Sequence, residues 1–299
     1  MTDAEMTAPL FDKVTLLGLG LIGSSLGHAM KRAGLARHIS GHARSQETRE
    51  AALEIGFVDQ VHESANEAVK GADLVILCVP VGVCGPLCAQ IAGDLKRGAI
   101  VSDVGSVKEA VIRACAPHIP KGVHFIPAHP MAGTEFSGPH AGFAELFERK
   151  WCLLTPLPDT DQAALDRLCN LWTKCGANVE VMSAHHHDLV AAIVSHLPHL
   201  IAFNIVGTAD DLEDITEREV IKFAAGGFRD FTRIAASDPT MWRDVFLNNK
   251  EAVLTMLEHF NKDLERLTNA IRQDDGALLF DHFKRTRHIR KGILEEEKE

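Results

Sequence analysis

Val14-Thr15-Leu16-Leu17-Gly18-Leu19-Gly20-Leu21-Ile22-Gly23 is the stretch that decides how this chain folds. Four β-branched or aliphatic residues read as a buried strand. The three glycines follow at GxGxxG spacing, ahead of an amphipathic run over 21–33. A strand that passes through a glycine turn straight into a helix opens a βαβ unit. Each glycine meets a different steric demand: Gly18 permits the tight turn, Gly20 lets a ligand approach the main chain, and Gly23 lets helix and strand pack closely. The ligand that such a turn receives is a dinucleotide pyrophosphate, held on the exposed N–H groups of the helix start. Leu19, Leu21 and Ile22 belong to the same loop.

Beyond this unit, strand-like runs at 14–17, 74–79, 99–103, 123–128, 151–155 and 179–182, with a weaker one at 38–42, alternate with helical patterns such as 46–55, 107–116 and 162–174. Regular alternation implies a mostly parallel, doubly wound sheet with right-handed crossovers. After Ser183 no strand pattern follows, and 184–210, 239–273 and 277–294 read as helices. The expected fold is an α/β Rossmann domain over 1–183 followed by an all-α domain over 184–299.

Composition narrows the function. The 41 acidic and 31 basic residues leave a net charge of −10, which argues against a nucleic-acid partner, since backbone binding needs a concentrated basic face. The N-terminus has no basic segment followed by an apolar one. No uncharged apolar run of about 18 residues is apparent either, so no membrane association is expected. Seven cysteines, an odd number without a CxxC pair, suit reduced thiols and a cytoplasmic location.

The second element of a dinucleotide fingerprint is altered. Where an acid would meet the ribose 2′-hydroxyl, the chain reads Gly41-His42-Ala43-Arg44-Ser45. Ala43 replaces the acid, and Arg44 suits a 2′-phosphate, which favours NADP over NAD. Alternatively Arg44 stacks on adenine and both cofactors serve. Val79 and Pro80, Asp103 and Ser106 end two further strands, where ligands of open parallel sheets bind, and are candidates for the same crevice.

Three more clusters fall at strand ends or in the helical half: Asp103-Val104-Gly105-Ser106-Val107-Lys108, His129-Pro130-Met131-Ala132-Gly133-Thr134-Glu135 and Gly226-Gly227-Phe228-Arg229-Asp230-Phe231-Thr232-Arg233. With Ser195-His196-Leu197-Pro198-His199 and Asp238-Pro239-Thr240-Met241-Trp242, and in this order, they closely resemble the prephenate/arogenate (cyclohexadienyl) dehydrogenase family of tyrosine biosynthesis. The resemblance runs from about Lys13 to beyond Lys250.

It implies an oxidative decarboxylation of prephenate or arogenate, in which hydride leaves C4 for the nicotinamide, the ring carboxylate departs as CO₂ and the ring becomes aromatic. By the same resemblance His129 accepts the hydroxyl proton, Ser106 bridges hydroxyl and nicotinamide, Arg233 grips a substrate carboxylate, and His199 contacts substrate. His196, Thr134, Glu135, Gly226, Asp230 and Trp242 complete the pocket.

The residue types suit these tasks. Imidazole titrates near neutral pH, and a planar guanidinium matches a carboxylate. Each also has a plainer reading. His129 caps a strand end. Ser106 is the N-cap of a helix from Val107, with Glu109 in capping-box position. Lys108 is read as a solvated first-turn lysine. Asp230 and Arg233, three apart, either orient one another or form a surface ion pair. Pro198, between His196 and His199 on one helix face, bends that helix. His185-His186-His187-Asp188 does not read as a metal site, because consecutive helical side chains diverge by about 100°.

Two other readings stay open: a β-hydroxyacid dehydrogenase of similar build, which would need a helix lysine that the helical half does not place, and a dinucleotide-sensing regulator without chemistry. Val253, Leu254, Leu257, Phe260, Leu264 and Leu267 recur at helical spacing, more apolar stripe than one small domain needs, and suggest a homodimer.

Overall fold

The computed structural model describes residues 8–134, 136–212 and 225–296. The chain opens on strand β1 (Phe11–Leu17), turns through the glycines into α1 (Leu21–Arg32), and returns as β2 (Ala36–His42). It continues through α2 (Gln46–Ile55), β3 (Gln60–His62), α3 (Ala65–Val69), β4 (Leu74–Leu77), α4 (Val81–Ile91), β5 (Ile100–Asp103), α5 (Glu109–Cys115) and β6 (His124–Phe125). These six strands form one sheet in the order β3-β2-β1-β4-β5-β6, and every pair in it is parallel. The order reverses between β1 and β4, and there the crevice for a ligand opens beyond the strand ends.

A parallel sheet is covered on both faces, so its strands are apolar on both sides. β4 shows this residue by residue. Leu74 and Ile76 enter one core layer with Leu16, Leu26 and Ile39, while Val75 and Leu77 enter the other with Leu17, Val101 and Val111.

The expected strand over 123–128 is two strands. β6 ends in the large sheet, and β7 (Ala128–Pro130) pairs instead with β8 (Trp151–Leu154) in a second sheet. Pro127 lies between them and lacks the N–H that would continue the first ladder; its carbonyl accepts from Thr155 N at 2.9 Å. After α6 (Gln162–Lys174), β9 (Asn178–Val181) runs parallel to β8. The fold is thus a Rossmann-like α/β sheet followed by helices, as expected, with a small three-stranded sheet added.

The helical region begins with α7 (Ala184–Ala191), a π turn (Ala192–His196) and α8 (Leu197–Asp211), one continuous helix. Pro198 is accommodated at the head of α8, and the π turn before it re-spaces the carbonyls that its missing N–H would have bonded. This helix corrects the premise of the membrane expectation, that no sufficiently long apolar stretch is present. Ala184–Asp211 is long and apolar enough to cross a bilayer, with mean hydropathy 1.9. It nevertheless carries His187 and Asp188, buried in bonds to the α/β region, and His196, buried in a bond to Asn249. Next come α9 (Gly226–Thr232) and α10 (Pro239–Asn248), whose Trp242 and Val245 join the core layer of α4.

By packing, Met1–Lys250 is one compact unit, so the helices up to α10 share a body with the sheet, although secondary structure changes at Ser183. The second unit, Glu251–Glu299, holds α11 (Lys250–Arg272) and α12 (Gly276–Glu296). The helix expected over 239–273 is broken at Asn249, which leaves the helical conformation and whose side chain donates to the Asp188 carbonyl.

Candidate active site

At the first glycine the backbone is left-handed, φ +105°, and a Cβ there would strike the Cys78 carbonyl at the end of β4. Gly18 N–H donates to the His42 carbonyl at 2.9 Å. A Cβ on Gly23 would strike the Gly18 carbonyl, whereas nothing lies within 4 Å of one on Gly20. The loop is therefore closed against the protein at Gly18 and Gly23 and bare at Gly20. Leu19 is buried in the core and Leu21 and Ile22 pack partly against it, so these three offer the crevice main chain rather than side chain. Val79 approaches the same turn, its Cγ1 lying 3.1 Å from where a Gly18 Cβ would be, and Pro80 starts α4.

At the end of β2, Ala43, Arg44, Ser45 and Thr48 line an open pocket. Ser45 Oγ accepts from Thr48 N at 3.1 Å and caps α2. Arg49 donates to the carbonyls of Ala43 (2.7 Å) and Arg44 (3.0 Å), pinning the loop from behind. Arg44 itself is exposed.

At the end of β5 two sequence readings change. Lys108 is not solvated: it is fully buried, and its Nζ donates to Asp103 Oδ2 at 2.5 Å and to the Ala128 carbonyl at 2.6 Å. A buried charge needs such a partner, and Asp103 supplies it. Asp103 also accepts from Gly105 N (2.8 Å) and Ala128 N (3.3 Å), so both its oxygens are engaged by protein donors and it braces the crevice from inside. Ser106 does not cap a helix from Val107. α5 begins at Glu109 without a side-chain cap of its own, and the carboxylate of Asp188 receives the N–H groups of Lys108 (2.8 Å) and Glu109 (2.9 Å). Ser106 stays half-buried at the lip.

His129, on β7 immediately after the carbonyl that Lys108 holds, is buried with 7% exposure. Its Nδ1 lies 2.8 Å from His187 Nε2, and His187 Nδ1 lies 2.8 Å from Asp188 Oδ1. Burial, reinforced by His187, Lys108 and His196, holds the pKa of His129 well below the ordinary imidazole value. Burial likewise lowers His187, against the opposing pull of Asp188. For Asp188 burial works against the charge, but the bonds from His187, Lys108 N and Glu109 N outweigh it and keep its pKa below the usual carboxylate value. Two neutral imidazoles thus stand in line with an ionised carboxylate at neutral pH.

A second pair completes this end. His196 is fully buried, its Nδ1 3.1 Å from Asn249 Nδ2, and Asn249 also donates to the Asp188 carbonyl at 2.9 Å. Burial brings the His196 pKa down to about 4. With Asn249 donating to Nδ1, the ring proton sits on Nε2, on the side of the Ser106 main chain. His199 is half-buried and stacks on Trp242, ring centroids 3.7 Å apart at 25°. Burial lowers its pKa, and the nearby Arg233 lowers it further. Arg233 is exposed, at the end of the segment that α9 begins, and forms no hydrogen bond or ion pair with Asp230. Gly226 starts α9 in open space, and Thr134 is exposed, its Oγ1 accepting from Phe136 N at 3.2 Å. Glu135 lies outside the described residues.

The structure therefore gathers Ser106, His129, His196, His199, Trp242 and the field of Arg233 around the ends of β5 and β7, within one compact unit. His185 turns to Glu109 at the surface while His187 is buried, so the run of three histidines diverges. Sequence reasoning gave no role to His187, Asp188 or Asn249. The signals available were an acid directly after a histidine at a helix start and an asparagine inside an apparent helix.

Comparison with known proteins meets this geometry from outside. Residues 26–181 match the family model for the prephenate dehydrogenase nucleotide-binding domain, and residues 183–285 match that for the prephenate dehydrogenase dimerization domain. A cyclohexadienyl dehydrogenase of Zymomonas mobilis is 41% identical, over 95% of this chain and 97% of its own. The solved prephenate dehydrogenase of A. aeolicus, in complex with hydroxyphenyl propionate and NAD+, superposes with a TM-score of 0.88 at 35% identity, covering 94% of this chain and 98% of that one. Synechocystis arogenate dehydrogenase does so with 0.81 at 28%, covering 93% and 99%. His129 lies within the first family-model match and the helices α7 to α11 within the second, and the chain belongs to the prephenate dehydrogenase family.

Proposed function

We propose that this protein catalyses the oxidative decarboxylation of a 4-hydroxycyclohexadiene carboxylate, prephenate or arogenate, with hydride transfer to NAD(P). The products are 4-hydroxyphenylpyruvate or tyrosine, with CO₂. The observation that carries this reading is a neutral, buried imidazole, His129, tied back through Nδ1 at the mouth of a parallel sheet.

The residues present fit a dinucleotide, because Gly18 and Gly23 leave no room for side chains while Gly20 stands bare to a ligand. Bound there, the cofactor supplies the hydride acceptor. His129 takes the C4 hydroxyl proton on Nε2 as the oxygen gains carbonyl character. Ser106 hydrogen-bonds the same hydroxyl from the lip. Arg233 binds a substrate carboxylate, and the flat His199–Trp242 stack walls the ring. Aromatisation provides the driving force, so the protein's task is to orient the ring and exclude water.

Thr134, Glu135, Gly226, Asp230 and His196 are assigned to the substrate pocket, and Ala43, Arg44, Ser45, Val79 and Pro80 to the cofactor side, with NADP preferred. Residues 1–183 form the dinucleotide half and 184–299 the substrate and dimerisation half of a cytoplasmic homodimer. Support for the dimer comes from the second unit, where Leu254, Leu264, Ile271, Phe280 and Phe283 are each at least 49% exposed.

Incubating the purified protein with each substrate and each cofactor, and following reduced nicotinamide together with product, tests the proposal. Turnover of at least one cyclohexadiene is the expected result. Tight cofactor binding without turnover of either substrate would return the protein to the class of non-catalytic sensors.

A further inference from the structure

We infer that Asp188, acting through His187, is the positioning group that fixes which nitrogen of His129 is basic and supplies the counter-charge when His129 is protonated. The inference rests on the proposed role of His129 as proton acceptor and adds two residues to it.

Hydrogen-bond logic carries it. Asp188 is held by two main-chain donors, Lys108 N–H on Oδ1 and Glu109 N–H on Oδ2. So held, the carboxylate can only accept from a side chain. His187 Nδ1, 2.8 Å from Oδ1, must therefore carry a proton. In the neutral ring, His187 Nε2 is then a lone pair, and it faces His129 Nδ1 at 2.8 Å. His129 must donate from Nδ1, which leaves its own lone pair on Nε2. The chemistry needs that nitrogen free, since Nδ1 is buried against α7. One ionised carboxylate thus sets two tautomers in series.

The same line answers an electrostatic need. The groups facing His129 are His187 from α7, Lys108 from the segment before α5, and His196 from the π turn. Lys108 is already neutralised by Asp103, and His187 and His196 are neutral or positive. Asp188 is then the negative charge left to compensate an imidazolium at His129. When the substrate O–H bond breaks, the proton forms a new N–H bond at His129 Nε2. The resulting positive charge is shared along Nδ1–H to His187, beside the carboxylate. Within the line from Asp188 to His129 no other covalent bond changes.

The arrangement also explains why Asp188, on α7, is bonded to the start of α5. Capping Lys108 and Glu109 holds its oxygens in place, and Asn249 holds its carbonyl from the opposite side at 2.9 Å. Rotation of the Asp188 side chain would break the carboxylate's bonds to Lys108 N, Glu109 N and His187 together.

The first test needs no substitution. In ¹⁵N-histidine-labelled protein at neutral pH, nitrogen chemical shifts should show His129 protonated on Nδ1 and unprotonated on Nε2. The opposite tautomer overturns the inference. Asp188→Asn, whose amide can donate to His187 and reverse the chain, should lower kcat on the order of 10²- to 10⁴-fold, as carboxylate-to-amide changes behind a catalytic histidine do. It should leave KM and cofactor affinity near wild type and move the acidic limb of the pH–rate profile to lower pH, because the counter-charge is gone. His187→Gln, which keeps an acceptor for His129 Nδ1–H, should retain more activity than His187→Leu. A loss of kcat with limb and tautomer unmoved means a merely structural role and overturns the inference, as does full activity in Asp188→Asn. His129→Asn, assayed alongside, separates the two claims. If it keeps kcat, the role of His129 itself fails. If it loses kcat while the Asp188 and His187 variants keep theirs, only the present inference fails.

Discussion

The two ends of the active-site crevice are built from opposite materials. At the glycine loop the working surface is main chain, packed tight at Gly18 and Gly23 and bare at Gly20, and the residues from Gly18 to Gly23 include no titratable group. At the ends of β5 and β7 the surface is made of side chains drawn from five separate segments. Asp103, Lys108, His129, His187, Asp188 and His196 are all buried; the first five are linked by bonds to one another, and His196 is bonded to Asn249. The first kind of site recognises by shape and by helix-start N–H groups. The second works by protonation state, which burial and pairing tune. Changes at the first end should therefore act through binding, and changes at the second through turnover and pH.

The largest effect tests that division directly. His129→Asn should lower kcat about 10²- to 10⁴-fold, the usual scale for a lost general base, with KM little changed and the acidic limb of the pH–rate profile removed. Arg233→Ala should instead raise KM strongly, because a substrate carboxylate is charged in the ground state as well as in the transition state. Arg233→Lys should recover only part, since an ammonium lacks the planar fork. Both variants should bind cofactor as the wild type does. Unchanged kcat in His129→Asn, or an unchanged KM in Arg233→Ala, would remove that residue from its assigned role.

The same contrast decides what could be read without coordinates. The glycine loop is local: strand, turn and helix are contiguous, each glycine's spacing has one steric meaning, and the sheet it starts appears with the order implied by a doubly wound fold. His129, Ser106 and Arg233 were named because their motifs resemble a family, not because any spacing joins them. The histidine chain was not legible. His129 and His187 are 58 positions apart, and Lys108 and Asp188 are 80 apart, so only the folded sheet brings them together. Lys108 was misplaced for a related reason. A lysine at a helix start is ordinarily solvated, and its burial follows from a strand switch at Pro127 that local pattern does not reveal. At Asn249 helical periodicity continues on both sides, yet the helix breaks there, where the side chain makes a tertiary bond to Asp188.

Acid should separate the two ends as well. His196 has an ordinary value of 6.5 and, folded, about 4. Its folded pKa is depressed, so between these values the unfolded chain holds a proton that the native chain does not. Stability present above pH 6.5 is then lost as pH falls towards 4, and for this group alone the loss amounts to about 3 kcal/mol. His129 and His187, shifted in the same direction, add to it. Urea unfolding at pH 7.5 and at pH 5 should show a marked drop, smaller in His196→Gln. An equal drop in that variant would assign the acid sensitivity to other groups.

The smallest expected effect probes the glycine end, where chemistry is replaced by fit. Ala43 stands at the end of β2 where a carboxylate would bond a free ribose 2′-hydroxyl, and Arg44 and Ser45 open beside it at the head of α2. A 2′-phosphate placed there meets a guanidinium on an exposed side chain, while Arg49 holds the loop by its carbonyls and not by its charge alone. The wild type should accordingly show a higher kcat/KM with NADP than with NAD. Ala43→Asp should reverse the order, because the new carboxylate repels the phosphate and accepts from the free hydroxyl. Since Arg44 is solvated, its contribution is screened, and a preference of about tenfold, about 1.4 kcal/mol, is the scale to expect. The change should appear in KM for cofactor and leave kcat and the acidic limb where they were, because no titratable group of the histidine end is touched. A wild type that prefers NAD by tenfold would mean that Arg44 does not read the phosphate. A shift of the acidic limb in Ala43→Asp would show the two ends coupled, contrary to the division drawn above.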